Sequence, residues 1–209
     1  TDINQDVSEI DKDFPTITSS LADKGYKVGV FGSMHSASVP HDEYTKYAFF
    51  VPEAFASNYL CKPTTINNLQ RLNLIMSKKS ARIVDNTLPN LNILLKAVVS
   101  YLNHSYKFNG ASSVIKQLFS ELFFPWKKIR RRTLQSIILF DVFMDLLNTN
   151  NPDFCTFFTN HVASNMHRFW EAKFPEDYPK EINLEGWKKR YQNEIDIAMR
   201  VSSYFINEL

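Results

Sequence analysis

Asp153-Phe154-Cys155-Thr156-Phe157-Phe158-Thr159-Asn160-His161-Val162-Ala163-Ser164-Asn165-Met166-His167-Arg168-Phe169-Trp170 is the stretch whose reading decides the fold. Phe154 to Asn160 is a short β-prone run introduced by the turn signal Asn151-Pro152-Asp153, a pattern that predicts a buried strand. Polar groups gather at its end: Asn160, His161, Ser164, Asn165, His167 and Arg168. In open α/β sheets, ligands sit where a strand ends and the next helix begins. Two histidines six residues apart at such a junction are candidates to converge on one ion or one substrate. Neutral imidazole is a common ligand for zinc and other divalent metals, although such sites take three or four protein ligands. A histidine beside a buried strand is more often a hydrogen-bonded part of the structure, and both readings stay open here.

Outward from this stretch, the chain alternates helix and strand patterns. Pro15 opens a helix with Ile17, Leu21 and Ala22 on one stripe, and Asp23-Lys24-Gly25 stops it. Tyr26 to Gly32 then reads as a strand, so the unit is α/β with a parallel sheet as its home. The loop Ser33-Met34-His35-Ser36-Ala37-Ser38 follows. His35 there is a candidate general acid/base or oxyanion donor, with a surface-loop histidine as the plainer alternative. Tyr47 to Val51 is a second apolar run. Helical periodicity from Thr64, over Leu88 to Leu102 and over Ala111 to Phe124 predicts a helical insertion across 64–125, lying beside the sheet. Lys127-Lys128-Ile129-Arg130-Arg131-Arg132 reads as a solvated helix start, the alternative being a surface for an anionic substrate or partner. An apolar helix over Thr133 to Leu147 feeds the Phe154 strand, and a last helix is predicted over Leu184 to Leu209. Residues 1–14 are polar and acidic and read as a loose arm.

Composition narrows the function classes. With 24 basic and 22 acidic residues the net charge is +2, which gives no reason to expect nucleic acid as a partner. No run approaches the ~20 apolar residues of a membrane span. Cys61 and Cys155 are isolated thiols, which points to a reduced, cytoplasmic setting, and Cys155 inside the predicted strand should be inert by burial. Gly25, Gly29 and Gly32 do not have dinucleotide-binding spacing, and neither a Walker sequence nor a G-x-S-x-G elbow is present. The chain opens on Thr1 and stops on Asn207-Glu208-Leu209 within a helical pattern, so it reads as part of a longer polypeptide.

Pro152 to Asn160 with His161 to Trp170 resembles the alkaline phosphatase superfamily, in particular its type I phosphodiesterase/nucleotide pyrophosphatase relatives. Their strand reads roughly P-D-L-v-x-v-Y-f-N and is followed by x-x-D-x-x-x-H-r-y, whose Asp and His bind one of two metals. Asn160 and His167 match that register, as does the Arg168-Phe169 flank, whereas Ala163 stands where the metal-binding Asp is expected. His161 is the nearest residue that could replace it. Leu21 to His35 is similar to the sulfatase segment L-x-x-x-G-Y-x-T-x-x-x-G-K-W-H, keeping the His as His35 and placing Ser33 where the Lys belongs.

The resemblance implies one partial α/β domain over 1–209: an alkaline-phosphatase-like, mostly parallel sheet flanked by helices, with the helical insertion inside it. It implies a metal-dependent hydrolase of phosphate or sulfate esters, acting on a small anionic ester through a divalent metal such as zinc. In that reading His35 is the catalytic pocket donor, Ser33 and Asn160 bind substrate, and His167 with His161 holds metal. No nucleophile segment and no D-H-G segment occurs in these residues, so the chain by itself is expected to be inactive. The alternative is a non-catalytic domain that keeps the fold and binds through its anion pocket or its helical insertion. Loss of the Asp at Ala163 and of the Lys at Ser33 favours that alternative. The oligomeric state is left open.

Overall fold

In the computed structural model, residues 13–79, 89–107, 109–178 and 185–209 are described. The protein is mixed α/β, with a small three-stranded parallel sheet flanked by helices. Its contacts divide it into two compact units, one of residues up to Asn109 together with Asp141–Phe158, the other of Gly110–Phe140 with Thr159–Leu209. The polar arm read over 1–14 lies, apart from Asp13 and Phe14, outside the described residues.

The first unit contains the sheet. Helix α1, Ile17–Asp23, is capped by the Thr16 hydroxyl, which accepts from the Ser19 amide at 3.2 Å. It ends where Gly25 takes the left-handed conformation, φ 87°, which is the glycine stop the sequence predicts. Strands β1, Val28–Phe31, and β2, Phe49–Val51, are buried throughout, and β3 is Phe154–Phe157. The order is β2-β1-β3, with both pairings parallel. Asp153 sets the β1–β3 register: its carboxylate accepts from the Lys27 amide and its own amide donates to the Lys27 carbonyl, both at 2.8 Å.

The side-chain alternation of β1 divides the sheet into two faces. Val28 and Val30 point toward Ala22 of α1, with Tyr44, Tyr47 and Phe50 in the same cluster. The other face carries Gly29, Phe31, Phe49 and Phe157, which meet Phe143 of helix α5, Arg131–Asn150. Gly29 has no side chain because the Phe49 ring occupies the place, with its nearest atom 2.2 Å from where a Cβ would stand. The same unit holds helices α2, Asn67–Lys79, and α3, Leu91–Leu102, packed on each other.

The second unit is helical among its described residues. It comprises α4, Asn109–Phe123, from Gly110 onward, a 3₁₀ turn Pro125–Arg130, the first half of α5, then α6, His161–Lys173, α7, Glu185–Tyr191, and α8, Glu194–Glu208. Phe169, Ala172 and Ile195 form its core with Met166, Trp187 and Tyr191 against them. Phe140 and Phe205 stack at 4.2 Å. Arg130 grips the carboxylate of Glu194 with contacts of 2.6, 2.9 and 3.1 Å, and Arg131 grips Glu121 with contacts of 2.6, 3.0 and 3.2 Å. Both glutamates are buried.

Several expectations need correction. The Phe154 strand stops at Phe157 and is half-buried, because β3 is an edge strand with β1 on one side of it. Asn160 belongs to the start of α6 instead. The single helix predicted over Leu184 to Leu209 is two, broken between Tyr191 and Glu194. The basic run is not simply a solvated helix start, because Arg130 and Arg131 turn inward onto buried carboxylates.

Gly29→Ala should lower stability by about 1–3 kcal/mol, since the buried Phe49 ring has to leave its rotamer, and urea denaturation would measure the loss. Arg130→Ala strands the Glu194 carboxylate, which is 2% exposed, and should cost about 3–5 kcal/mol by the same measurement.

Candidate functional site

The β3–α6 junction is built by Thr159 and Asn160 leading into α6. His161, the first residue of that helix, is buried. Its Nε2 lies 3.1 Å from the Ala198 carbonyl oxygen and 3.3 Å from the Ser202 hydroxyl. Its Nδ1 lies 3.0 Å from the Thr159 hydroxyl, which is itself 2.9 Å from that of Ser136. A carbonyl can only accept, so Nε2 carries the proton that faces Ala198, while the Thr159 hydroxyl directs its own proton to Ser136. The ring meets the edge of Phe205. Burial holds the His161 pKa below its ordinary value, and the Ala198 carbonyl offsets part of that effect. This is a neutral, fully engaged structural imidazole.

Around it, the Asn165 side-chain amide donates to the His161 carbonyl at 2.7 Å and to the Thr133 hydroxyl at 3.3 Å. Arg132 donates to the Ser164 hydroxyl. Burial lowers the pKa of Arg132 and of Arg168, and the Arg168 charge adds to the effect on Arg132. Asn160 is exposed and makes no side-chain cap bond, although its carbonyl accepts from the Ser164 amide at 2.9 Å.

His167 does not join His161. Both lie on α6, where six residues of separation turn the side chains roughly 120° apart, and the structure buries His161 while exposing His167. The expected convergence on one ion therefore fails for a geometric reason. Ser33 and His35 belong to the first unit, whereas Asn160, His161 and His167 belong to the second. The Ser33 hydroxyl lies 2.6 Å from that of Thr156 on β3, and its carbonyl accepts from the Ser36 hydroxyl at 2.5 Å. His35 is exposed, with a left-handed backbone at φ 64°, just before a 3₁₀ turn.

Among the described residues, no three His, Cys, Asp or Glu side chains gather as a metal-binding group. With both ring nitrogens of His161 facing partners inside the protein, the donors present do not fit the two-metal centre that the resemblance implies. Cys61 and Cys155 are free thiols, and burial pushes both pKa values up.

The insertion displays apolar side chains that the sequence reading assigned to packing beside the sheet. On α4, Ile115, Leu118, Phe119, Leu122 and Phe123 are 67, 53, 64, 76 and 68% exposed, and Phe124 follows them. On α3, Leu91, Leu95, Val98, Val99 and Leu102 are exposed, while Ala97, Ser100 and Tyr101 form the buried side. Large apolar faces open to water mark interaction surfaces more reliably than single exposed leucines do. Sequence reading also missed Thr65, His104 and Asp145, which meet side chain to side chain. They come from three separate stretches, so no local spacing announces them.

No family model, no curated protein and no solved structure matches the chain. Among the described residues, no helix is long and apolar enough to cross a membrane.

The depressed pKa of His161 has a stability signature. Below about pH 6.5, the ordinary value, the unfolded chain takes up this proton before the folded one does, so stability should fall as pH drops through that value. Thermal melts at neutral and mildly acidic pH should show this loss in the wild type and a smaller one in His161→Gln.

Proposed function

We propose that the chain is a protein-interaction domain that docks through the apolar face of α4, in line with the non-catalytic reading in which the helical insertion binds. The observation that carries this is the stripe Ile115, Leu118, Phe119, Leu122 and Phe123, which follows helical spacing and remains open to water. Three- and four-residue spacing of this kind packs against another helix, ridge into groove. With Phe124, six side chains of roughly 100 Å² each offer on the order of 600 Å², against about 800 Å² per partner in a standard interface. A second copy supplies a matching face about a two-fold axis, because an isologous contact needs only one self-complementary patch. The basic run adds no competing anion surface through Arg130 and Arg131, which are held on Glu194 and Glu121.

Metal-dependent hydrolysis of phosphate or sulfate esters, acting through His35, Ser33, Asn160, His161 and His167, finds less support. His161 is engaged on both nitrogens, and Ala163 supplies no ligand. The free thiols Cys61 and Cys155 accord with a cytoplasmic setting.

Size-exclusion chromatography with light scattering should find a dimer in the micromolar range. Phe119→Asp with Leu122→Asp should give a monomer with an unchanged circular dichroism spectrum. A wild type that stays monomeric across that range sinks this reading.

A further inference from the structure

We propose a second, catalytic site in the first unit: Thr65, His104 and Asp145 form a hydroxyl–imidazole–carboxylate relay that hydrolyses short-chain acyl esters. The Thr65 hydroxyl lies 2.6 Å from Nε2 of His104, and Nδ1 of His104 lies 2.9 Å from a carboxylate oxygen of Asp145. The Asp145 carboxylate can only accept, so Nδ1 carries the proton and the Nε2 lone pair faces the hydroxyl. This is the arrangement a general base needs beside an alcohol nucleophile. His104 and Asp145 are mostly shielded, with side chains 16% and 29% exposed, whereas Thr65 is exposed at the end where a substrate arrives.

Three elements hold the group. Thr65 sits in the 3₁₀ turn Thr64–Ile66 that leads into α2, and its carbonyl accepts from the Ser100 hydroxyl on α3. His104 follows the end of α3, where its amide donates to the Tyr101 carbonyl at 2.9 Å. Asp145 lies on α5, one turn beyond Asp141, which receives the Tyr101 hydroxyl and the Lys107 amide.

Thr65 lines an open cleft of about 300 Å³, together with Asn68, Leu95, Lys96, Val99 and Asn103. That volume is at the small end for ligand sites, which suits a small ester with a short acyl chain. Leu95 and Val99 offer an apolar wall for a short aliphatic acyl chain. Asn68, Asn103 and Lys96 offer donors for the oxygen that becomes negative.

The chemistry closes without a cofactor. Thr65 Oγ1 bonds to the ester carbonyl carbon as its proton passes to His104 Nε2. The carbon–alkoxide bond breaks, the alcohol leaves with that proton, and the acyl group remains as an ester on Thr65. Water then attacks the acyl carbon, giving a proton to His104. The bond to Oγ1 breaks, Thr65 recovers the proton, and the carboxylic acid departs. Asp145 is a positioning residue that holds the imidazole in its productive tautomer.

The test uses the full chain with p-nitrophenyl acetate and butyrate, and a fluorophosphonate that replaces fluoride with a phosphorus–oxygen bond to its nucleophile. Saturable hydrolysis is expected, with a phosphonate adduct on the Thr65 peptide in mass spectra. Thr65→Val should lose roughly a hundredfold or more of the rate and the adduct as well, while Thr65→Ser should keep both. Asp145→Asn should lower kcat with KM little changed, and Asp145→Glu should restore part of the rate. If hydrolysis does not saturate, if Thr65→Val leaves the rate intact, or if the wild type carries no adduct at Thr65, the relay is not catalytic. If Thr65→Val unfolds by circular dichroism, the wild-type adduct and the Thr65→Ser rate decide the question.

Discussion

A carboxylate taken out of water has to meet a cation, and in the second unit this requirement governs how the helices are joined. Glu194 opens α8 and Glu121 lies on α4, and both are buried. Consecutive arginines, Arg130 and Arg131, reach these two helices from the point where the 3₁₀ turn becomes α5. Each forms a multidentate grip, so both the direction and the distance of the helix it holds are specified. Trp126 lies beneath this junction, with Arg130 5.3 Å from its ring centre and Tyr191 meeting its edge. Charge that looked available to a ligand is thereby committed to the fold.

The first unit depends on a different constraint, close packing around a central strand. β1 has a partner on each side and is buried along its whole length, so its residues must be small or apolar. Gly29 is the extreme case, because the Phe49 ring fills the space of its missing side chain. The ring can then join Phe143, which also contacts Phe31 and Phe157. Beyond β1, the Ser33 and Ser36 hydroxyls bind the following loop to β3 and to the amide of Glu53. That loop is therefore anchored by groups that a substrate-binding reading would have assigned to a ligand.

Much of the architecture was legible in the residues. The Gly25 stop, the strand after it and the Pro152-Asp153 entry into β3 are local signals, and local geometry produced what they predict. Helical periodicity placed the starts of α2 to α5, and the ends of α3 to α5, within a few residues. What periodicity could not say is which side of an amphipathic helix faces inward. On α3 the buried side is Ala97, Ser100 and Tyr101, and Leu91, Leu95, Val98, Val99 and Leu102 point to water. The candidate site was legible only as a list of residue types. His161 and His167 share a helix but not a face, and the partners of His161 lie on Ala198 and Ser202, far along the chain.

The sequence by itself determined the class of fold, the order of its elements and the absence of a dinucleotide or Walker signature, because each rests on neighbours a few residues apart. Only the tertiary structure decided what the polar residues do. It turned His161 into a neutral core residue, Arg130 and Arg131 into internal clamps, and brought Thr65, His104 and Asp145 within hydrogen-bonding reach. The physical reason is that hydrogen bonds and ion pairs act over a few ångströms in space. Residues forty or sixty positions apart become neighbours only when the helices carrying them pack.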